Sequence, residues 1–381
     1  MKTTLEIPPE EFEQELRTGA SLVVVDTRAP DVFERWHVEA GRAQVVNVPI
    51  DVFRSDADAA TGRVPAHSDV RVICNAGNNS LEVAQLLREH GIEALSVVGG
   101  MTAWGRVLVG DEVPIGSPTR VVQLRREARG CLSYLLVSGG EALAVDPAPG
   151  IEPYVEEATA RSARITRVFD THVHADHISG ARSLADATGA RLHLSSGAIA
   201  RGVGYAERID AVEDGDRIPL GSAEIRVIAL PGHTTDMAGL LVDGRALVGG
   251  DSLFADSVAR PDLEAGDEGA ADAAETLWQT LRERIAPLPD DVVLLPCHYP
   301  GGRLDGPLAP TLGEVRRAVP RLGLDREAFV RELLADMPPR PANYLDVIAV
   351  NMGADVPDAL SLEIGGNSCA ASAAWASPVV S

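Results

Sequence analysis

Five of the nine histidines in this 381-residue chain lie in three short motifs: THVHADHISG (171–180), PGHT and LLPCH. With two aspartates they form one candidate ligand set: His172, His174, Asp176, His177, His233, Asp251 and His298. Neutral imidazoles and carboxylates are usual ligands of zinc and iron, whereas closed structural zinc sites are built mostly from cysteine. Unrelated core histidines would not cluster in this way. The pattern therefore predicts a catalytic metal centre.

A second reactive group is predicted at Cys74, in the segment CNAGNNS. The buried-strand pattern VRVICN (70–75) ends there, and a helical pattern follows at 81–91. Main-chain N–H groups of such a loop and of the helix N-terminus stabilise an anion. The geometry suits a thiolate that accepts and donates a sulfane sulfur. The other three cysteines lack such a loop and are expected to be inert: Cys131, Cys297 and Cys369. Cys297, which stands beside His298, could instead line the metal site.

The elements around Cys74 alternate between strand and helix. The apolar runs SLVVVDTR (21–28), VRVICN (70–75) and ALSVV (94–98) read as buried strands, and an acidic helix is expected over 8–18. This order predicts a small α/β domain with a mostly parallel sheet. The polar segment DEVPIGSP (111–118) is expected to be a linker.

The later pattern is one of hairpins with helices between them. Turn signals at Gly139-Gly140 and Asp243-Gly244 separate pairs of apolar runs, which predicts a two-sheet α+β sandwich. Each candidate ligand group follows a predicted strand, so we expect the groups to converge at one end of the sandwich. The expected divisions are residues 1–115, 116–300, a C-terminal extension over 301–360 and a tail over 361–381.

The composition of the chain limits which partners and which compartment are expected. The formal net charge of −22 disfavours nucleic acid and anionic membrane surfaces as partners. Four scattered cysteines indicate a reducing compartment. No secretory signal or membrane-spanning run is recognised, so we expect a cytoplasmic protein that binds a small molecule, with a homo-oligomer left open.

The ligand motifs resemble those of the metallo-β-lactamase superfamily, which implies an αββα sandwich. In two-metal hydrolases such as glyoxalase II, a similar set binds a pair of metal ions. In persulfide dioxygenases, one iron is held by the first His, the PGH His and the Asp. This second resemblance implies Fe(II), one per chain, held by His172, His233 and Asp251. The remaining members would orient ligands and route protons, or hold a second metal: His174, Asp176, His177 and His298.

Two segments resemble the persulfide dioxygenase branch. SLFADSVARPDLE (252–264) contains an Arg-x-Asp sequence with Arg260 and Asp262 in place, and MPPRPANYLDVIAVNMG (337–353) resembles the closing Pro-rich motif. The resemblance implies that O2 and water oxidise the outer sulfur of a thiol persulfide to sulfite. Arg260 would either steer an anionic substrate or pair with Asp262.

The N-terminal part resembles a single rhodanese module. Its DTR (26–28), its C-x-x-G-x-x-S loop (74–80) and VGGMTAW (98–104) match the family's landmarks, which implies that Gly77 and Ser80 contact substrate around Cys74. Many active members carry a basic residue where this chain has Asn79. The substrates implied are thiosulfate, sulfite and persulfide.

Three functions remain open from the sequence. The first is an iron-dependent persulfide dioxygenase with a sulfur-transferring rhodanese domain. The second is a binuclear zinc hydrolase of the glyoxalase II type. In the third, the first domain binds or senses persulfide and regulates the metal domain.

Overall fold

The computed structural model describes residues 4–18, 22–39, 43–65, 69–300, 304–335, 337–341, 343–363 and 369–370. The strands, in chain order, are β1 (Glu6–Ile7), β2 (Leu22–Asp26), β3 (Gln44–Asn47), β4 (Asp69–Ile73), β5 (Ala94–Val97), β6 (Val109–Val113), β7 (Arg120–Arg126), β8 (Cys131–Ser138), β9 (Glu141–Val145), β10 (Arg164–Phe169), β11 (Arg191–Ser195), β12 (Ile209–Val212), β13 (Arg217–Leu220), β14 (Ala223–Ala229), β15 (Ala238–Val242), β16 (Ala246–Gly250) and β17 (Val293–Pro296). The helices are α1 (Pro9–Thr18), α2 (Pro30–Arg35), α3 (Ile50–Ser55), α4 (Ala57–Thr61), α5 (Asn78–Glu89), α6 (Gly100–Trp104), α7 (Glu152–Ala160), α8 (Ala181–Thr188), α9 (Ser196–Ala200), α10 (Asp262–Thr280), α11 (Leu312–Ala318), α12 (Arg326–Ala335) and α13 (Tyr344–Asn351). A π-helical turn (Leu281–Ile285) continues α10, and short 3-10 turns lie at Ala206–Arg208, Pro320–Gly323 and Ala359–Leu362.

The first domain is built on a five-stranded sheet in the order β1-β5-β4-β2-β3. All of its neighbouring strands are parallel. Helices cover both faces, with one core around Val25 and Phe53 and another around Phe12 and Trp104. The predicted parallel α/β domain is confirmed. Because β4 is central, the loop that follows it opens at the middle of the sheet's carboxyl edge.

The second domain is a sandwich of two sheets. The seven-stranded sheet runs β12-β11-β10-β9-β8-β7-β6, and the five-stranded sheet runs β13-β14-β15-β16-β17. Between them lies an apolar core that includes Tyr134, Phe169 and Leu240. The helices α7 and α8 pack on the outer face of the first sheet, and α10 and α12 pack on the second. The predicted αββα sandwich is confirmed.

Two expectations at the domain borders need correction. Within the predicted linker 111–118, residues 111–113 belong to β6, which pairs with β7 from Val109↔Arg125 to Val113↔Val121. An edge strand exposes alternate residues to water, so it has the composition of a loop. The Pro-rich segment 337–353, for which no element was predicted, contains α13.

The predicted tail over 361–381 is also partly wrong. Residues 364–368 and 371–381 lie outside the described residues, whereas Glu363 and Cys369 are buried in the protein. Their partners are distant in sequence, which is why composition alone could not reveal them. Among the residues that the structure describes, no helix is long and apolar enough to cross a membrane.

The two domains contact each other around one arginine. Arg126, at the end of β7, donates to the main-chain oxygen of Gly105 at 2.9 and 3.1 Å and forms a buried ion pair with Glu363. The Trp36 indole donates to the oxygen of Ala128 at 2.8 Å. Polar atoms of both domains are therefore satisfied by each other across the junction.

Candidate metal centre

The ligand motifs occupy the carboxyl ends of four strands, as predicted. The HxHxDH motif follows β10, His233 lies shortly after β14, Asp251 directly follows β16, and His298 follows β17. Strands of both sheets thus bring these side chains to one end of the sandwich.

His172, His233 and Asp251 form a compact cluster. Ligand-type atoms of these three residues all lie within 4.8 Å of one another, and all three side chains are buried. The Asp251 Oδ2 atom is 3.8 Å from His172 Nε2 and 3.5 Å from His233 Nε2. The cluster unites the three ligands that the dioxygenase resemblance implies.

Hydrogen bonds on the far side of each ring orient both histidines. The Nδ1 atom of His233 lies 2.8 Å from the carbonyl oxygen of Arg260 and donates to it. The Nδ1 atom of His172 lies 2.9 Å from Thr171 Oγ1, which in turn donates to Asp146. Both Nε2 atoms are buried and make no hydrogen bond within the described chain. Such orphaned lone pairs are what a metal ion would satisfy.

The electrostatics of the cluster also suit a cation. Burial lowers the pKa of His172 and of His233, which keeps both rings in the neutral form that coordinates metals. Burial and the negative charge of Asp176 raise the pKa of Asp251 well above its ordinary value. A divalent cation would relieve the repulsion between these carboxylates. The residues present therefore fit a bound metal ion.

A second group of ligand-type atoms adjoins the first. Asp176, Asp251, His298 and Cys369 have such atoms within 4.8 Å of one another. The Nε2 atom of His298 is 3.3 Å from both carboxylates, and His177 Nδ1 is 3.1 Å from Asp176. Burial lowers the pKa of His298 to about 3. The Cys369 thiol, which we expected to be inert, lies against Asp251 at the centre itself.

His174 belongs to a third cluster, with Asp146 and Asp170. Its Nε2 atom is 3.1 Å from Asp146 Oδ1. Burial favours the neutral ring, yet the charge and hydrogen bond of Asp146 outweigh it and raise the pKa of His174 to about 10. Cys297, which we expected either to be inert or to line the site, donates to the same Asp146 at 2.8 Å.

The side chain of Arg260 is bonded on all sides to other parts of the protein. Its guanidinium is buried, pairs with Asp262 at 2.7 and 3.0 Å, and donates to the oxygens of Pro338 and Pro339. The predicted pairing with Asp262 is confirmed. Steering of an anionic substrate by Arg260 stays a prediction, and the enclosed, already bonded head does not support it. Its main-chain oxygen instead fixes His233.

The Cys74 loop has the expected form. The N–H group of Gly77 donates to Cys74 Sγ at 3.1 Å, and Ser80 Oγ lies 3.4 Å from the same sulfur. Gly77 has a φ of 92°, a conformation that favours glycine, and α5 begins directly after it. Gly77 and Ser80 thus surround the thiol, whereas contact with a substrate stays a prediction.

Three supporting residues were missed from the sequence. Asp146 directly follows β9, which pairs with β10. Its position beside the HxHxDH motif could therefore have been predicted from the strand order. Asn351 donates to the carbonyl oxygens of His174 and His177 at 2.9 and 2.8 Å, and it stands in the closing segment quoted above. Glu363 accepts from the N–H group of Ile178 at 2.9 Å, and no local signal marks it.

Comparison with known proteins agrees with this architecture. Residues 8–106 match the rhodanese-like domain, and residues 126–298 match the metallo-beta-lactamase superfamily. The hydroxyacylglutathione hydrolase of Methylococcus capsulatus is 35% identical over 212 residues, covering 54% of this chain and 76% of the relative. Human mitochondrial persulfide dioxygenase ETHE1 is 30% identical over 258 residues, covering 64% and 92%.

A solved structure extends the comparison to three dimensions. The crystal structure of ETHE1 from Myxococcus xanthus superposes with a TM-score of 0.53 at 27% identity, covering 62% of this chain and 98% of that one. The family match, the relatives and the solved structure all indicate the same fold for the second domain. The chain belongs to the metallo-β-lactamase superfamily and carries a rhodanese-like domain ahead of its metallo-β-lactamase domain.

Proposed function

We propose that the chain is an iron-dependent persulfide dioxygenase with a sulfur-transferring rhodanese domain. The observation that carries this proposal is the buried cluster of His172, His233 and Asp251, with both Nε2 atoms lacking a hydrogen-bond partner. The match to human persulfide dioxygenase supports it, because it spans 92% of that relative's length. The match to the hydrolase spans 76%.

The proposed reaction converts a persulfide R–S–SH, O2 and H2O into the thiol R–SH and sulfite, with release of two protons. The outer sulfur is oxidised and dioxygen is reduced, and the sulfur–sulfur bond breaks. A ferrous ion held by two histidines and one carboxylate would supply three open coordination positions for dioxygen, a sulfur and water.

The protein's own residues orient the ligand side chains and exclude bulk water. Thr171 and the Arg260 carbonyl orient the two ligand rings, and Asp146 anchors Thr171. Asp176 and His298, whose facing side-chain atoms are 3.3 Å apart, adjoin the cluster and would help to orient the water that the reaction uses. Burial of the cluster keeps bulk water away from the reacting sulfur.

The first domain would move sulfane sulfur through Cys74. The thiolate attacks the outer sulfur of thiosulfate, a Cys74–sulfur bond forms, and the thiosulfate sulfur–sulfur bond breaks. Sulfite leaves with the electron pair. The Gly77 N–H group, 3.1 Å from the thiol sulfur, stabilises the thiolate. Because all four cysteines are free thiols, we also propose a reducing cytoplasmic location.

The test is metal analysis of protein purified without oxygen, coupled to O2 uptake with a low-molecular-weight thiol persulfide. We expect about one iron per chain and one O2 consumed for each sulfite formed. Turnover of a thioester without oxygen, together with two zinc ions per chain, would overturn the proposal.

A binuclear zinc hydrolase is the second candidate. The adjoining cluster of Asp176, Asp251 and His298 favours it, because those residues could hold a second ion. The 35% identity to a hydroxyacylglutathione hydrolase supports the same alternative. The metal stoichiometry of the experiment above separates the two.

A further inference from the structure

A cavity of about 440 Å³ lies between the two domains. We call it the interdomain cavity. Asn75, Thr102 and Arg106 contribute to its wall from the first domain, and Arg126 and Arg129 from the second. Five of its fourteen lining residues are arginines, in a chain whose net charge is −22.

The interdomain cavity adjoins the reactive loop of the rhodanese-like domain. Asn75 directly follows Cys74, and its carbonyl oxygen accepts the N–H group of Thr102 at 3.0 Å. The carbonyl oxygen of Cys74 accepts the N–H group of Met101 at 2.8 Å. The loop and α6 therefore form one continuous wall, with the thiol-bearing residue next to it.

Positive charge at this wall does not come from the loop. The segment CNAGNNS contains no charged residue. Arg28 and Arg35 line the cavity, but they pair with Asp26 at 2.6 Å and with Asp31 at 2.9 Å. Arg106 has an exposed side chain, and within the residues described here it makes no side-chain hydrogen bond and no ion pair.

The second domain adds further cations. Arg126 pairs with Glu363, and Arg129 lies over the Trp36 ring at 5.1 Å. Burial and repulsion from Arg126 lower the pKa of Arg129 to about 10, so it remains a cation at neutral pH. Besides Glu363, Asp358 is the acidic residue among the lining residues. With Arg28, Arg35 and Arg126 each paired to a carboxylate, the lining still holds two further arginines against one further acidic residue, so it keeps a positive charge.

We propose that the interdomain cavity binds a small sulfur oxyanion of the thiosulfate class, with Arg106 as a binding residue and the second domain completing the site. This composite site supplies the positive charge that the loop lacks at Asn79. It would hold the anion against Asn75, the chain neighbour of Cys74, from which the Cys74 thiolate would take the outer sulfur and release sulfite. The biological ligand rests on the proposed sulfur transfer, whereas anion binding itself does not.

Calorimetry with sulfate tests the proposal on the metal-loaded full chain. Sulfate has the same charge and tetrahedral shape as thiosulfate but no transferable sulfur. We expect Arg106→Gln to weaken sulfate binding about fivefold, in line with one partly screened ion pair of ~1 kcal/mol. Arg106→Lys should recover most of the affinity. Arg63→Gln removes an exposed arginine outside the cavity and should bind like the wild type.

Alkylation of Cys74 tests whether the anion binds next to this residue. Cys74 should react faster with the anion iodoacetate, relative to neutral iodoacetamide, in the wild type and in Arg63→Gln than in Arg106→Gln. Saturating sulfate should protect Cys74 from iodoacetate, as measured by peptide mass spectrometry. Equal sulfate affinity in Arg106→Gln and Arg63→Gln, or no protection of Cys74, would overturn the proposal. A wild type that binds sulfate yet transfers no sulfur would refute the sulfur-transfer function and leave the anion site intact.

Discussion

The Nδ1 atom of His233 lies 2.8 Å from the carbonyl oxygen of Arg260, whose own side chain is held by Asp262. One segment thus fixes a candidate metal ligand through its main chain and anchors itself through its side chain. The buried guanidinium leaves its carbonyl in a defined place, so the ring presents Nε2 to the cluster.

Replacing Asp262 should loosen this segment. Asp262→Asn removes the charge that pairs with buried Arg260, and breaking a buried pair costs about 3 kcal/mol. We expect urea unfolding to shift by that amount and metal affinity to fall about tenfold or more. Asp267→Asn is the matched control, because Asp267 pairs with Arg340 at the surface and should change stability by ~0.5 kcal/mol at most. Equal effects of both variants would contradict this assignment.

The number of metal ions depends on which cluster is used. If one iron binds at the His172 cluster, His172→Ala should lose nearly all metal, whereas His298→Ala should retain close to one ion per chain. Metal content measured by mass spectrometry after anaerobic purification distinguishes these outcomes. Two ions in the wild type and one in each variant would instead indicate a binuclear centre.

Cys74→Ser separates the two proposed activities. Because the thiol lies in the first domain, sulfite formation from added persulfide should persist, whereas sulfur transfer from thiosulfate should be abolished. Assays of sulfite and of cyanide-dependent thiocyanate measure the two. A parallel loss of both activities would favour the reading in which the first domain regulates the second.

Much of this arrangement could be predicted because it is local. The HxHxDH motif and the Cys74 loop each lie within a few residues of a strand end, so their placement follows from strand order. The supporting contacts are not local. Arg126 and Glu363 are 237 residues apart, and Asn351 reaches the motif from α13. Only the folded chain brings these residues together. The strand β6 was missed for a different reason, because an edge strand has a loop-like composition.

The Arg126–Glu363 pair should make stability depend on acid pH. Burial opposes ionisation of Glu363, but the charge and hydrogen bonds of Arg126 outweigh it and lower the pKa of Glu363 to about 2 from an ordinary 4.5. A carboxyl whose pKa is lowered by folding stabilises the protein above pH 4.5 and loses that contribution as the pH falls towards 2. The shift corresponds to about 3 kcal/mol.

Glu363→Gln tests this contribution. The variant keeps the side-chain shape and should unfold with a shallower dependence on pH between 4.5 and 2. Glu112→Gln serves as the control, since Glu112 forms an exposed pair with Arg120 and its loss should matter little. Urea unfolding at a series of pH values measures both, and identical slopes for Glu363→Gln and the wild type would contradict the expectation.

Gly100 leaves no room for a side chain beside the main chain of Cys74. Gly100 has a φ of 57°, and a Cβ atom there would lie 2.1 Å from the Cys74 carbonyl oxygen. Gly100→Ala should therefore displace the loop and reduce sulfur transfer more than tenfold, with stability lowered by over ~2 kcal/mol. Gly91→Ala is a matched control, because Gly91 has a φ of 82° and no atom within 4 Å of such a Cβ. It should cost about 1 kcal/mol from backbone strain and leave transfer intact. Comparable losses of transfer in the two variants would show that strain alone, and not the contact with Cys74, governs the loop.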